Sequence, residues 1–191
     1  KAGSVGRTIL SNLIASPFGG TVYPVNPNRP SILGVQCHPN VASIPEPVDL
    51  AVIVTPAPSI PAIIGECGEA GIPTAVVISA GFKEVGVEGA RLENEVKEIA
   101  RSYNMRIVGP NCLGLAVPGI GLHANFGLTR PSPCKLAFLS QSGALVTAML
   151  ADEGVRLPGD RRRANRERIA KEGIAIPPEL AARIAKLAGE G

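Results

Sequence analysis

The stretch "DLAVIVTP", Asp49 to Pro56, is apolar from Leu50 to Val54 without any alternation between apolar and polar residues. A strand with one face in water alternates, whereas an unbroken apolar run is typical of a strand covered on both faces. The stretch "TAVVIS", Thr74 to Ser79, has no polar face either. These segments predict buried strands of a parallel sheet, and Met105 to Val108 predicts another.

Helical patterns separate these strands. Apolar residues recur at helical spacing in "VGRTILSNLIAS", Val5 to Ser16. Further helices are predicted from about Ser59 to Ala70 and from Glu88 to Tyr103. In the last of these, Glu93 and Lys97 would pair on the solvent side, since residues four apart are neighbours on a helix.

The sequence predicts two more strands, from Thr21 to Asn26 and from Lys135 to Ser140. The stretch "SGALVTAMLADEG" follows the second of them and predicts a helix, so that strands and helices alternate along the chain. Strands that alternate with helices predict an α/β fold with a Rossmann-like, doubly wound parallel sheet and right-handed crossovers. Such a sheet normally begins with a strand that leads into a Gly-rich turn. This sequence begins within that turn, at "KAGSVG", so we expect the first strand to be missing.

The composition indicates an ordinary α/β protein of the cytoplasm. The 191 residues are 45% apolar but only 3% aromatic, without Trp, so the core is expected to consist of Val, Ile, Leu and Ala. No apolar run approaches the roughly 18 to 20 residues of a membrane span, and no signal peptide is visible. The four cysteines are widely spaced and form no C-x-x-C pair, which predicts reduced thiols and no metal site.

The positive charge of the chain is concentrated at its C-terminal end. From Arg156 onward there are nine basic and five acidic side chains, whereas the first 155 residues carry ten basic and eleven acidic ones. A nearly neutral body argues against nucleic-acid binding. We expect a Rossmann-like ligand-binding domain at 1–132, the start of a second domain at 133–155, and a charged linker with a short helix at 156–191.

Ligands of doubly wound sheets bind beyond the carboxyl ends of the strands. The segments at those positions are "NPNRP", "TPAPS", "SAGF", "GPNC" and "SQSG", and four of the five combine Gly or Pro with a small polar residue. Small residues allow a ligand to approach backbone amides closely. We therefore expect a binding site at these loops.

Several of the loops have two interpretations. "GSVG" could bind phosphate at a helix N-terminus, or it could be a plain capping turn with Ser4 as N-cap. Asn26 and Arg29 could contact a ribose or a phosphate, or could belong to a surface turn. Phe82 could stack on a ligand as part of a lid, or could fill the core. "SQSG" is similar to a second anion site.

No catalytic residue is predicted. Cys112 has no His or acidic partner in register, and without one its thiol has no means of activation. His38 and His123 are loop histidines, for which solvent exposure is the expected state. The loops contain no paired carboxylates.

Six segments together resemble the CoA-binding part of the NDP-forming acyl-CoA synthetases. They are "GSVGR", "YPVNP", "LGVQCHPNVASIPEPVDLAVIVTPA", "AVVISAGF", "IVGPNCLG" and "LAFLSQSGAL". The family includes the ADP-forming acetate–CoA ligases and is related to the succinyl-CoA synthetase alpha subunit. The resemblance covers about Lys1 to Leu150, with the segments in the family's order and at its intervals.

The resemblance implies a role for each loop. The Gly-rich turn would hold the CoA phosphates, the loop after the next strand would approach the nucleotide end, and two further loops would border the pantetheine. The implied CoA-binding residues are Gly3, Ser4, Val5, Gly6, Asn26, Pro27, Arg29, Thr55, Pro56, Ala57, Ser79, Ala80 and Gly81, with Pro110, Asn111 and Cys112 at the thiol end. The implied phosphate-binding residues are Ser140, Gln141, Ser142 and Gly143.

The reaction implied by the resemblance is acyl-CoA + ADP + phosphate ⇌ carboxylate + CoA + ATP, through an acyl phosphate and a phosphorylated histidine. In the family that histidine follows a Gly, and this sequence has no Gly-His dipeptide. It also has no ATP-grasp segment, through which ADP, ATP and Mg would bind. We therefore predict that the chain binds CoA but is inactive alone. The expected partners are CoA, a small carboxylic acid and an ATP-grasp subunit or domain.

Two alternative functions remain at this point. One is a non-catalytic module that senses CoA or another nucleotide. The other is a fragment of an NAD-linked oxidoreductase, which is disfavoured because no strand leads into G-x-G-x-x-G with an acidic residue about twenty positions later. The stretch after Gly154 is similar to the end of the type-2 malate/lactate dehydrogenases, and we infer no dehydrogenase activity from it.

Overall fold

The computed structural model describes residues 3–16, 18–133, 135 and 137–151, together with positions 168, 170, 171, 178, 179, 183, 186 and 189. The chain divides into two compact units, Lys1–Ala151 and Asp152–Gly191. The charged linker and short helix predicted from Arg156 onward lie almost entirely outside the described residues. The domain boundaries at 132 and 155 stay a prediction.

The described part of the first unit contains both α-helices and short strands. The α-helices are α1 (Val5–Ile14), α2 (Ile60–Glu69), α3 (Val87–Ser102) and α4 (Gly143–Ala151). The strands are β1 (Ser31–Ile32), β2 (Val35–Gln36), β3 (Ala51–Ile53), β4 (Thr74–Val77), β5 (Arg106–Val108), β6 (Gly114–Val117) and β7 (Leu122–Asn125). None of the helices in the described part is long and apolar enough to cross a membrane.

The central sheet is parallel and contains β3, β4 and β5 in that order. Val76 of β4 lies opposite Val52 on one side and Val108 on the other. These are the segments whose unbroken apolar runs predicted buried parallel strands. The α/β class and the Rossmann-like parallel sheet are thus confirmed.

Each face of the sheet is covered by a different set of elements, because successive side chains of a strand point to opposite faces. Ile53, Ala75 and Val77 belong to one core cluster with residues of α2 and α3. Val76 and Ile78 belong to a second cluster with Ile9 of α1. Each large apolar side chain that is fully buried in this way stabilises the fold by about 1.5–3 kcal/mol.

Two predicted strands are wrong. The segment from Thr21 to Asn26 forms only an isolated parallel bridge between Val25 and His38. Pro24 interrupts the segment and Pro27 follows it, and proline has no N–H to donate to a ladder. In the segment from Lys135 to Ser140, residues 137–140 form no strand ladder, and residue 136 lies outside the described residues.

The antiparallel hairpin of β6 and β7 was not predicted. Leu115 lies opposite Ala124, and Ala116 lies opposite His123. Gly114 has φ +111°, and a Cβ on it would lie 2.3 Å from the carbonyl oxygen of Ala124, so only glycine fits there. The hairpin also buries His123, which is 6% exposed, so its predicted exposure to solvent is wrong.

The ion pair on α3 forms, with Lys97 on the solvent side as predicted but with Glu93 buried. Nζ of Lys97 lies 2.7 Å from Oε1 of Glu93, and Glu93 is only 5% exposed. The backbone N–H of Lys83 also donates to the Glu93 carboxylate, at 3.5 Å. The hydrogen bond from Lys97 holds the pKa of Glu93 below its usual range, although burial opposes this effect.

Candidate functional site

A cleft of about 650 Å³ lies at the carboxyl ends of the central strands, next to the N-termini of α1 and α4. Carboxyl ends of parallel strands share one edge of a sheet, so the loops that follow them converge there. The lining residues are Val5, Val54, Ile78, Ser79, Ala80, Asn111, Cys112, Leu113, Phe126, Gln141, Ser142, Gly143, Ala144 and Thr147.

The cleft brings together part of the predicted site. Its lining includes the predicted residues Val5, Ser79, Ala80, Asn111, Cys112, Gln141, Ser142 and Gly143. The predicted residues outside the lining are Gly3, Ser4, Gly6, Asn26, Pro27, Arg29, Thr55, Pro56, Ala57, Gly81, Pro110 and Ser140.

Sequence reasoning missed six lining residues, Val54, Ile78, Leu113, Phe126, Ala144 and Thr147. Val54 and Ile78 come at or next to the ends of predicted strands, so the strand ends themselves were the available signal. Leu113 and Phe126 had no comparable signal, because their positions depend on the hairpin of β6 and β7.

The start of α1 is pressed against the end of β3. A Cβ on Gly6 would lie 2.9 Å from Cγ2 of Val54, so this contact requires glycine. Ser4 is the N-cap residue, in extended conformation, and its side chain makes no capping hydrogen bond. The first amides of α1 therefore keep their capacity to donate to a ligand.

Ser79 connects the loops that follow three strands. Its hydroxyl donates to the carbonyl oxygen of Thr55 at 2.6 Å, and its own carbonyl oxygen accepts from the N–H of Asn111 at 2.9 Å. The loops after β3, β4 and β5 are thereby linked through one residue. Oγ1 of Thr55 is buried without a partner among the described residues.

The "GPNC" loop turns sharply at the end of β5. Gly109 has φ +100°, and a Cβ there would lie 2.3 Å from the carbonyl oxygen of Val77. Asn111 also has a positive φ of 53°, a conformation that Asn tolerates better than most residues. The turn places Asn111 and Cys112 on the cleft wall.

The Cys112 thiol is a donor rather than a nucleophile. Its Sγ donates to the carbonyl oxygen of Val77 at 3.3 Å. Burial raises the pKa of the Cys112 thiol above its usual value, so the thiol stays protonated near neutral pH. Burial likewise raises the pKa of Cys67 to about 11.

The "SQSG" segment caps α4. Oγ of Ser142 accepts from the N–H of Leu145 at 3.2 Å, and Oγ of Ser140 accepts from the N–H of Ser142 at 3.0 Å. The amides of Gly143 and Ala144, the first two helical residues, have no intrahelical acceptor. Both residues line the cleft, so these donors are available to an anion there.

The loop with Asn26, Pro27 and Arg29 forms its own turn outside the cleft lining. Oδ1 of Asn26 accepts from the N–H of Asn28 at 2.9 Å, and the N–H of Asn26 donates to the carbonyl oxygen of His38 at 2.8 Å. Arg29 is exposed to solvent.

The "SAGF" loop is held by a hydrogen bond within the loop region. Its Phe82 belongs to the core and does not form a lid. Phe82 is fully buried. Oε1 of Glu84 accepts from the N–H of Gly81 at 2.6 Å, and this bond lowers the pKa of Glu84. The hydrogen bond at Gly81 and the buried Phe82 thus hold the loop that places Ser79 and Ala80 in the cleft lining.

Neither histidine of the chain lines the cleft. Nδ1 of His38 lies 3.0 Å from the carbonyl oxygen of Ser43. Nδ1 of His123 is buried without a partner among the described residues. The cleft therefore contains donors for anions and an apolar wall, but no imidazole from this chain.

Comparison with known proteins identifies relatives of this arrangement. A protein-family model described as a CoA binding domain matches residues 1–118. The acetate–CoA ligase [ADP-forming] I of Archaeoglobus fulgidus is 52% identical over 148 residues, which is 78% of this chain and 21% of that protein. The acetate–CoA ligase [ADP-forming] I subunit alpha of Pyrococcus furiosus is 42% identical over 154 residues, 78% of this chain and 33% of that subunit.

Solved structures agree with these matches. The dinucleotide-forming acetyl-coenzyme A synthetase 1 of Ca. Korarchaeum cryptofilum, in complex with phosphate and ADP, aligns with a TM-score of 0.73 at 42% identity, over 78% of this chain and 32% of that chain. The protein PH0766 of Pyrococcus horikoshii aligns with a TM-score of 0.75 at 39% identity, over 78% and 34%. The chain thus spans about a fifth to a third of the length of these relatives.

Proposed function

Because the chain belongs to the CoA-binding domain family, we propose that it binds coenzyme A in the cleft, as part of an ADP-forming acyl-CoA synthetase of the acetate–CoA ligase type. The observation that carries the proposal is the linkage of three strand-end loops at Ser79, beside the N-termini of α1 and α4. The cleft lining fits a thiol-bearing chain, since Ala80, Gly143 and Ala144 are small and Ser79 and Asn111 are polar.

In this proposal the thiol end of CoA lies at the "GPNC" loop. The Asn111 amide faces the acyl group, and Cys112, protonated and bonded to Val77, supports the loop without competing as a nucleophile. The amides at the start of α1 bind CoA phosphate, and the nucleotide end extends toward Asn26, Pro27 and Arg29. Thr55, Pro56, Ala57 and Gly81 shape the loops that border the pantetheine.

The step assigned to the cleft is transfer of an acyl group between phosphate and CoA. The CoA thiol gives up its proton, which the departing phosphate takes up, directly or through solvent. The CoA sulfur attacks the carbonyl carbon of an acyl phosphate, the carbon–sulfur bond forms, and the carbon–oxygen bond to phosphate breaks. The amides of Gly143 and Ala144 stabilise the negative charge of the departing phosphate. Ser140, Gln141 and Ser142 hold the backbone that presents these amides.

The phosphohistidine and the nucleotide belong to a partner in this proposal. His38 and His123 both lie outside the cleft lining, so neither is placed to receive phosphate there. The similarity to a ligase subunit named alpha supports an ATP-grasp subunit or domain as that partner. ADP, ATP and Mg would bind to the partner, and the acid would be a small carboxylate. The proposed compartment of the protein is the cytoplasm.

Calorimetric titration of the full chain with CoA and with NAD tests the proposal. We expect CoA to bind and NAD not to bind, since the loops lack the acidic ribose ligand of NAD sites. Ala80→Leu, which adds a branched side chain in the cleft lining, is expected to weaken CoA binding at least about tenfold by steric exclusion.

Ala62→Leu is the matched control, because Ala62 is exposed on α2 and is not part of the lining. It should leave CoA binding unchanged. Binding of NAD without CoA would refute the proposal, as would equal effects of the two substitutions.

A further inference from the structure

Phe126 is an aromatic side chain that the fold leaves partly open to the cleft. It follows β7 directly, is 36% exposed, and lines the cleft together with Leu113. Its N–H donates to the carbonyl oxygen of Leu113 at 3.4 Å, so the two residues are neighbours. Only 3% of the residues are aromatic, and Phe82, for comparison, is fully buried.

Two asparagines fix the backbone on both sides of Phe126. Nδ2 of Asn12, on α1, donates to the carbonyl oxygens of Asn125 at 2.8 Å and of Gly127 at 3.1 Å. Oδ1 of Asn125 accepts from the N–H of Gly127 at 2.9 Å. We call this set the Asn12–Asn125 clamp. It holds the Phe126 backbone in place while leaving the ring open to the cleft.

The wall formed by Leu113 and Phe126 lies next to the free backbone amides at the start of α4. A Cβ on Gly143 would lie 3.6 Å from Cβ of Leu113, so the wall touches the first residue of α4. An apolar surface beside free amides suits a ligand in which a short hydrocarbon group is joined to a carbonyl or an anion. An acyl group has this chemistry, which inorganic phosphate lacks.

We propose that Leu113 and Phe126 form the wall against which the acyl group of an acyl-CoA lies, and that Phe126 determines the longest acyl chain the cleft accepts. The inference rests on the proposed CoA site. The hydrogen bonds of the Asn12–Asn125 clamp restrict movement of the backbone at position 126, so the Phe126 ring stays at the cleft wall and a longer acyl chain meets it there.

The test compares the dissociation constants of acetyl-CoA and hexanoyl-CoA, with CoA as a reference, for the full wild-type chain and for Phe126→Ala. In the variant the ratio of the hexanoyl-CoA constant to the acetyl-CoA constant should fall by about tenfold or more, since each newly buried methylene is worth about a fourfold change. The CoA constant of the variant, measured alongside, shows how much of any change is not specific to the acyl group. Both thioesters are measured on one preparation, so a loss of folded protein does not alter the ratio.

Phe138→Ala is the matched control, because Phe138 is 47% exposed and is not part of the lining. In Phe138→Ala, the ratio of the hexanoyl-CoA dissociation constant to the acetyl-CoA dissociation constant should equal that of the wild type. Phe126→Leu, which keeps an apolar side chain, should shift the ratio in the same direction by a smaller factor, and it serves if the alanine variant does not fold.

The outcomes separate the two proposals. If the wild type binds CoA and the ratio is unchanged in the Phe126 variants, or changes equally in Phe138→Ala, the assignment of Phe126 is wrong and the CoA site stands. If the wild type binds neither CoA nor the thioesters, the CoA site is wrong and the assignment falls with it.

Discussion

His123 is a buried titratable side chain with an unpaired ring nitrogen. Its Nδ1 has no hydrogen-bond partner among the described residues. Burial, followed by the positive charge of Arg130, lowers the pKa of His123 below its usual value of 6.5. The folded state therefore favours the neutral imidazole, whereas the unfolded chain takes up a proton near pH 6.5.

Stability should accordingly fall with acidification. Below about pH 6.5 the unfolded state binds more protons than the folded state, so the free energy of unfolding decreases as the pH falls toward the lowered pKa. Urea unfolding at about pH 7 and about pH 5 measures this decrease. We expect a smaller decrease in His123→Gln than in the wild type.

His38→Gln is the control, because His38 lies partly exposed in a loop. This variant should keep the pH dependence of the wild type. A His123→Gln variant that loses as much stability on acidification as the wild type would show that other groups cause the effect.

At the scale of elements, α3 approaches the loop after β4 unusually closely. A Cβ on Gly89 would lie 1.8 Å from the carbonyl oxygen of Phe82, which is backbone and cannot rotate away. The contact seats α3 against the loop that presents Ser79 and Ala80. Glycine is poor for helices, so its presence in α3 reflects this packing rather than helix propensity.

Gly89→Ala should therefore destabilise the protein although alanine is the better helix former. We expect a loss of about 2 kcal/mol or more in the free energy of unfolding, from the backbone shift that the methyl group requires. Gly65→Ala in α2 is the matched substitution, because nothing lies within 4 Å of a Cβ at that position. It should stabilise by about 0.5–1 kcal/mol. Denaturant unfolding measures both, and equal changes in the two variants would contradict the packing explanation.

The elements also show where sequence reasoning succeeds and fails. β3 and β4 were predicted because a strand buried on both faces is recognisable in the sequence as an unbroken apolar run. The strand predicted at Thr21–Asn26 does not form because Pro24 lacks the N–H donor that a strand needs there. The hairpin of β6 and β7, and with it Leu113 and Phe126, was missed because it depends on packing against α1, more than a hundred residues earlier in the chain.

At the scale of the whole molecule, the predicted loops supply only part of the cleft lining. The loops after β3, β4 and β5 meet because every parallel strand ends at the same edge of the sheet, which a sequence reveals once the strands are recognised. Burial of Glu93 and His123 could not be foreseen, since it depends on tertiary packing, of α3 against the segment Lys83–Val85 and of β7 against α1.

The full chain should not catalyse the complete ligase reaction. With both histidines outside the cleft lining, no side chain is placed there to carry phosphate to a nucleotide. We expect no CoA release from acetyl-CoA in the presence of ADP, phosphate and Mg, measured as free thiol, with a full-length ADP-forming ligase as the positive control. Turnover by the chain that depends on ADP and phosphate would overturn this expectation, and loss of that turnover in His38→Gln or His123→Gln would identify the histidine responsible.

The Asn12–Asn125 clamp makes the backbone position at residue 126 independent of the side chain that the residue carries. Its hydrogen bonds run to main-chain atoms around position 126 and none of them involves the ring. Position 126 can therefore be changed without removing any of these hydrogen bonds. A library of apolar residues at this one position would vary the depth of the cleft on an unchanged backbone, and under the acyl-wall proposal it would vary thioester selectivity as well.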